Sequence, residues 1–154
     1  MGLISDGTTI FDSGAMASGL GGAMTLIKKL TASSSATLDF LNGSSGVIFD
    51  STYKEYVFIF KDIHPATDDV VFSFQTDTGT NTSYNQTITS TNFAAQHSES
   101  DSPTELSDTG NTRRLAQQTI VQPLSGHNDL GNDNDQCLAG YLHIFDPANT
   151  TFVK

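Results

Sequence analysis

The strongest alternation of apolar and polar residues in this chain lies between residues 53 and 63. Within it, Tyr56, Phe58 and Phe60 fall on one face of an extended segment. The opposite face is also apolar and is formed by Val57, Ile59 and Ile63. Since strands that are covered on both sides read as apolar on both faces, the pattern predicts a central strand.

Weaker alternation predicts six further strands. These are residues 24–30, 36–40, 70–75, 84–91, 115–124 and 137–145. In the last of them, Leu138, Leu142 and Ile144 share one face. His143 lies on the other face, with Ala139, Tyr141 and Phe145, as a residue of the sheet surface. Residues 92–114 contain few apolar groups and predict a long surface loop, with a helix near residues 92–99 as the alternative. Residues 125–136 predict a second polar loop.

Seven predicted strands without a convincing helix predict an all-β fold. Runs of short strands separated by turn residues are typical of an antiparallel β-sandwich, here of the jelly-roll kind. We expect this domain to cover residues 24–154. Residues 150–154 read as the start of another strand, so we expect the domain to be incomplete at its C-terminal end, unless this strand pairs with an earlier one.

Residues 1–23 differ from the rest because six glycines interrupt short apolar stretches and no period of 2 or 3.6 persists. Such a segment cannot bury its own apolar groups. We therefore expect an irregular glycine-rich arm that orders on a partner or a neighbouring subunit, with a frayed terminus as the alternative. The residues expected to dock are Leu3, Ile4, Ile10, Phe11 and Leu20.

Charge and composition exclude several classes of protein. Seven Lys and Arg against 17 Asp and Glu give a net charge of −10, which repels the phosphate backbone of nucleic acids. No stretch has the length and apolar character of a membrane span or of a secretory signal, so we expect synthesis in a cytoplasm. The single cysteine, Cys137, excludes an internal disulfide framework.

Candidate chemistry is sparse, and we expect neither an enzyme nor a cofactor. Asp129, Asp133 and Asp135 offer oxygen ligands that could surround a calcium ion, but Asp and Asn also dominate plain turns, and a polar turn without metal is the favoured interpretation. Exposed aromatic rings can stack on sugars, which makes three tyrosines candidates for a glycan platform. They are Tyr53, Tyr84 and Tyr141.

Three segments carry a resemblance to a known family. They are Leu30–Phe40 (LTASSSATLDF), Phe49–Phe60 (FDSTYKEYVFIF) and Ile63–Asp68 (IHPATD). The pattern, over about residues 30–75, resembles structural proteins of tailed bacteriophages, notably those of marine bacteria. The resemblance implies a β-sandwich on the outside of a virion, as a head decoration, a head fibre or a tail-fibre component, and it implies no catalytic residues.

These observations together predict a non-enzymatic virion structural protein. We expect its arm to dock on other virion proteins, of the capsid or the tail, while the sandwich projects outward. We also expect a symmetric homo-oligomer, a trimer, since repeated weak contacts add up by avidity. The alternative is a glycan-binding module that serves in receptor binding or adhesion.

Overall fold

The computed structural model describes most of the chain, and all of its regular structure is β-strand. The described ranges are residues 3–5, 8–12, 15–16, 24–79, 81–97, 100–102, 104–107, 113–125 and 130–151. Across these ranges there are nine strands and no helix, which confirms the all-β class. The chain divides into two compact units, Met1–Phe49 and Asp50–Lys154.

In the first unit, three short strands form an antiparallel meander. They are β1 (Leu3–Ser5), β2 (Thr8–Asp12) and β3 (Ala15–Met16), in the order β1-β2-β3. The expectation of an irregular arm is therefore wrong for these residues. The sequence does contain a signal for hairpins here, because Asp-Gly at positions 6–7 is a preferred two-residue hairpin dipeptide. Strands of two to five residues are too short to show a clear alternation of apolar and polar residues.

Residues 24–41 contain no strand, so the strands predicted at 24–30 and 36–40 are wrong. Met24 is 67% exposed and Leu26 is 83% exposed. Alternation shows that a segment can form a strand, but a strand also needs a neighbour that accepts and donates its backbone hydrogen bonds. The segment ends in a tight turn, where Gly43 and Gly46 have φ of 79° and 80° and Val47 is buried.

The second unit is built from nested antiparallel pairs. Its strands are β4 (Glu55–Ile63), β5 (Ser73–Phe74), β6 (Ala94–His97), β7 (Thr104–Ser107), β8 (Gln122–Pro123) and β9 (Leu138–Phe145). β4 pairs with β9, β5 with β8, and β6 with β7. The isolated bridges Val70–Leu130 and Ile88–Gln118 fall between these pairs in the same nested order. Residues 55–97 therefore pair, in reverse order, with residues 104–145.

This nesting explains why the loop predicted over residues 92–114 is wrong. Its described part holds the β6–β7 hairpin, in which Ala94 lies opposite Ser107 and His97 opposite Thr104. The residues of these strands are polar or weakly apolar, so they show no alternation of apolar and polar residues that would predict a strand. The helix considered for residues 92–99 is also absent, because residues 94–97 are extended.

Three other predicted strands are much shorter than expected. Within residues 70–75 only Ser73–Phe74 is a strand, and within 115–124 only Gln122–Pro123. Residues 84–91 form a single bridge at Ile88. By contrast, the predicted strands at residues 53–63 and 137–145 form β4 and β9, which confirms those two predictions.

A bulge corrects the expected faces of β4. Phe60 lies opposite Gly140 and Ile63 opposite Leu138, so two residues of β4, Lys61 and Asp62, fall opposite one residue of β9. Asp62 occupies the left-handed region with φ 51°, as the extra residue of a bulge often does. The bulge moves Ile63 to the face of Phe60, away from Val57 and Ile59. β4 is also not a central strand, because β9 is its one strand neighbour in the described chain.

The buried apolar core is small. The fully covered apolar side chains of the described second unit are Tyr56, Leu115 and Leu130. The rings of Phe60 and Phe72 meet edge to face at 5.0 Å between centroids, which links β4 to the segment before β5. The inner face of β9 is half-buried along its whole length.

Replacing Leu115 with alanine is expected to destabilise the second unit strongly. Leu115 is 1% exposed, and truncating a buried leucine costs about 2–5 kcal/mol. Leu106→Ala provides the matched control because Leu106 is 75% exposed, and exposed truncations stay within about 0.5 kcal/mol. Urea unfolding followed by circular dichroism measures both variants, and equal shifts in the two would contradict this assignment of the core.

Candidate functional site

The outer face of the β4–β9 ribbon is the most distinctive surface of the described chain. We define the outer face by its six central residues, Glu55, Val57, Ile59, Tyr141, His143 and Phe145. Across the ladder Glu55 lies opposite Phe145, Val57 opposite His143, and Ile59 opposite Tyr141. Apolar side chains in the middle of a two-stranded ribbon would be expected to be covered, yet all the apolar residues of this face except the half-buried Val57 are open to solvent.

Exposure of this face is high. Tyr141 is 74% exposed, Phe145 is 61% and Ile59 is 59%. The sequence correctly placed Tyr141, His143 and Phe145 together on the surface side of their strand. It could not show that Ile59 joins them, because the period of β4 says which residues share a face but not which strand pairs with it.

The aromatic rings of β9 form a continuous row. The rings of Tyr141 and His143 meet edge to face at 5.2 Å, and those of His143 and Phe145 stack at 6.0 Å with an interplanar angle of 21°. These contacts join residues two positions apart on one strand. The row is therefore formed within β9 itself.

One polar pair lies within this row. His143 Nδ1 donates a hydrogen bond to Glu55 Oε1 across the two strands. The carboxylate can only accept, so the bond selects the tautomer that carries its proton on Nδ1. The side chains are 37% and 44% exposed, and ion pairs this exposed contribute about 0–1 kcal/mol. The pair orients the imidazole more than it stabilises the ribbon.

The end of the ribbon is closed by Asp146. Its backbone N–H donates to the carbonyl of Lys54 at 2.7 Å, and its carboxylate pairs with the Lys54 ammonium at 3.1 Å. Asn149 donates to the same aspartate from its backbone and from its side chain. These bonds set the strand register and place the Glu55–Phe145 pair at the edge of the outer face.

The three tyrosines proposed as a glycan platform have different surroundings. Tyr53 packs edge to face on Tyr56 at 5.9 Å. Tyr84 is half-buried, and its N–H donates to Asp77 Oδ2 at 2.7 Å. Tyr141 lies on the outer face. No contact among the described residues joins the three tyrosines, and Tyr141 offers the largest open ring.

The structure describes only part of the predicted calcium site. Asp129 lies outside the described residues, and the side chains of Asp133 and Asp135 are exposed. The backbone carbonyl of Asp133 accepts a hydrogen bond from His64 Nε2 at 2.8 Å, which ties this loop to the end of β4. Among the residues that the structure describes, no three His, Cys, Asp or Glu side chains gather as a metal site.

Four of the five residues predicted to dock on a partner lie in the meander. Leu3 and Ile4 belong to β1, and Ile10 and Phe11 belong to β2. In the register, Leu3 lies opposite Phe11, and Phe11 lies opposite Met16. Leu20 lies outside the described residues. The docking role of the segment stays a prediction.

Comparison with known proteins identifies no relative. No protein-family model, no curated protein sequence and no solved structure matches the chain. The described part of the chain also holds no helix of the length and apolar character that a bilayer span requires.

Asp77 organises the loop that carries Tyr84. Its carboxylate accepts hydrogen bonds from the N–H groups of Thr78 and Tyr84, at 2.8 and 2.7 Å, and from the Gln86 amide at 3.1 Å. Burial by itself raises the pKa of this carboxyl, but these donors outweigh it, so the pKa lies below its ordinary value. The loop is therefore most ordered when Asp77 is ionised.

Replacing Asp77 with asparagine is expected to weaken the second unit in a pH-dependent way. A lowered pKa stabilises the fold above the unfolded-state pKa of about 3.9, and this stabilisation is lost as the pH falls through the folded-state value. The gap in the free energy of unfolding between wild type and D77N should therefore be full at pH 7 and close in stronger acid. Urea titrations over this pH range measure it.

Asp135→Asn is the matched control, because the Asp135 side chain is exposed and makes no hydrogen bond or ion pair with the described residues. At pH 7 this variant should stay within about 0.5 kcal/mol of wild type, as surface substitutions usually do. A gap for D77N that persists unchanged at low pH would contradict the role given to the ionised carboxylate.

Proposed function

We propose that this chain is a non-enzymatic structural protein of a tailed-phage virion. In this proposal it is made in the host cytoplasm and joins the outside of the particle as a head decoration, a head fibre or a tail-fibre component. Residues 1–23 anchor it to capsid or tail proteins, and the second unit projects outward. The proposal assigns it an assembly role and no catalytic residues or cofactor.

The main support for an assembly role is the amount of apolar surface that the described residues leave exposed. Among the described residues, apolar side chains that are fully buried are few, whereas many large ones are open, including Leu26, Phe93 and Tyr141. A protein that works alone rarely leaves so much apolar surface in contact with water. A subunit can leave it open because its neighbours in the particle cover it.

Two of the segments that resemble phage structural proteins form hydrogen-bonded turns. Asp50 Oδ1 accepts from the Thr52 N–H at 2.8 Å, and the Asp50 carbonyl accepts from the Tyr56 hydroxyl at 3.3 Å, so the Asp-Ser-Thr-Tyr run forms the turn that starts β4. Hydrogen bonds from the Thr52 side chain and N–H lower the pKa of Asp50, in line with this capping role. The Asn132 N–H donates to Asp68 Oδ1 at 2.8 Å and fastens the second turn.

The nested pairing favours the finer fold that we propose, a jelly-roll-like sandwich. A jelly roll arises when one long antiparallel ribbon folds over on itself, so that its first strand pairs with its last and each later pair lies inside the previous one. The second unit has this pairing order from β4–β9 inward to β6–β7. In the proposed fold, this ribbon forms two sheets that face each other.

Glycan binding is the second candidate, and the outer face favours it. Tyr141 presents an open ring, and the His143–Glu55 pair beside it offers donors and acceptors to sugar hydroxyls. Flat aromatic rings next to hydrogen-bonding groups are what a sugar ring requires. The two roles are compatible on one particle.

The virion proposal is tested with an epitope-tagged chain produced in infected host cells. The tagged wild type should co-sediment with purified particles and be visible on their exterior by immunogold electron microscopy. The double variant Ile10→Asp, Phe11→Asp should stay in the soluble fraction, because burying two carboxylates in a docked interface is unfavourable.

The matched control is Thr8→Asp, Thr9→Asp, which adds the same charge to the same segment and should still be incorporated. Absence of the tagged wild type from particles would refute the virion role. Incorporation of the Ile10, Phe11 variant at the wild-type level would refute docking through this segment while leaving the virion role intact.

The glycan candidate predicts binding on a glycan array that depends on Tyr141. Tyr141→Ala should abolish the signal because it removes the open ring, while Leu106→Ala, a truncation of another exposed side chain, should retain it. A wild-type array without signal, or equal binding by both variants, speaks against this candidate.

A further inference from the structure

Among the described residues, the backbone groups on the outer edge of β9 have no strand partner. The bond from Asp146 N–H to Lys54 fixes the ladder so that Tyr56, Phe58 and Phe60 exchange hydrogen bonds with their partners on β9. Tyr141, His143 and Phe145 are the alternate residues, so their N–H and C=O groups point away from β4. No other described strand pairs with β9 on that side.

This edge also lacks the usual protection against pairing. Natural edge strands carry Lys, Pro, inward-pointing charges or bulges that prevent another strand from adding. β9 contains no Lys, Arg, Asp, Glu or Pro, and its C-terminal half holds three residues of types that favour strands, Tyr141, Ile144 and Phe145. β4 differs, since it carries Glu55, Lys61 and Asp62 and ends in a bulge.

We propose that β9 pairs with β9 of a second copy of this chain, antiparallel and around a two-fold axis at His143. This inference rests on the assembly role proposed above and names the partner. In this register His143 lies opposite His143 of the second copy, and Tyr141 lies opposite Phe145. The two ribbons then form one four-stranded sheet in the order β4-β9-β9-β4.

Two properties of the chain favour a second copy as the occupant. The occupant must be an extended strand that is uncharged and apolar on alternate residues, and β9 is the longest described strand that fits. The row of Tyr141, His143 and Phe145 is also nearly symmetric about its centre, so it complements itself under two-fold rotation and forms directly opposite aromatic pairs. A strand with acidic residues would fit an already acidic chain less well.

The area available predicts a weak dimer. Covering the exposed parts of Tyr141 and Phe145 on both copies buries at most roughly 700 Å², given their exposures of 74% and 61%. Stable interfaces bury about 1,200 Å² or more. The pairing therefore forms at high local concentration, as in a particle. A two-fold contact of this kind gives a dimer and differs from the trimer expected from the sequence.

Salt dependence follows from charge. Two chains of net charge −10 repel at long range, while the strands that pair contain no Lys, Arg, Asp or Glu. Added salt screens this repulsion but does not weaken the backbone hydrogen bonds and apolar contacts between the paired strands. Dimerisation should therefore strengthen as the ionic strength rises, whereas an interface held by ion pairs would weaken.

Site-directed crosslinking provides the direct test, in full-length chain that carries Cys137→Ser, since Cys137 is an exposed free thiol. Across the two-fold axis, the Cα atoms of opposing residues at position 143 are about 5.5 Å apart, which a disulfide spans. His143→Cys should give a covalent dimer with oxidised glutathione. Ala139→Cys, on the same face of the same strand, should not, because the two positions lie roughly 27 Å apart along the strands.

Sedimentation equilibrium of the wild type up to about 1 mM chain measures the association itself. His143→Lys should remove the dimer because it opposes two ammonium groups at the axis, while Ile59→Lys adds the same charge one strand away and should leave most of the dimer. Circular dichroism checks that each variant keeps its strands.

A wild type that is monomeric at this concentration, a trimer, or equal crosslinking at positions 139 and 143 would overturn the proposal. The test needs no particle, so it separates the two proposals. A chain that is monomeric in solution but present on particles refutes the strand pairing alone, and a dimer that is absent from particles refutes the virion role alone.

Discussion

The ladder between β4 and β9 is the interaction on which the second unit depends. These strands lie more than seventy residues apart in the sequence, and every other pairing of the unit falls between them. Pairing such distant segments costs loop entropy before any contact forms. Once the ladder exists, the inner pairs only close shorter loops, so they can consist of two-residue strands and isolated bridges.

The connections within this ribbon come from polar side chains. His64 reaches the carbonyl of Asp133, Asp68 accepts from the Asn132 N–H, and Gln75 Nε2 donates to the carbonyls of Thr119 and Ile120. Each of these bonds joins the two halves of the nested unit. A chain with few buried apolar side chains thus holds its halves together partly by such bonds, which accords with its richness in short polar residues.

The open outer face and the open edge of β9 arise from the same ladder. Pairing with β4 places Tyr141, His143 and Phe145 toward solvent, and it turns their backbone groups away from β4. The proposals for a second copy and for glycan contact both concern this strand. The two-fold pairing accounts for the unpaired backbone edge, whereas glycan contact accounts for the exposed side chains.

The sequence by itself determined the all-β class, the two longest strands and the faces of β9, because these two segments carry the clearest alternation of apolar residues in the chain. It also placed the exposed row of Tyr141, His143 and Phe145. Only the tertiary structure decided that β4 pairs with β9, that a bulge at Asp62 turns Ile63 inward, and that residues 94–107 form a hairpin. Pairing partners are set by long-range backbone hydrogen bonds, and no local pattern of side chains encodes those.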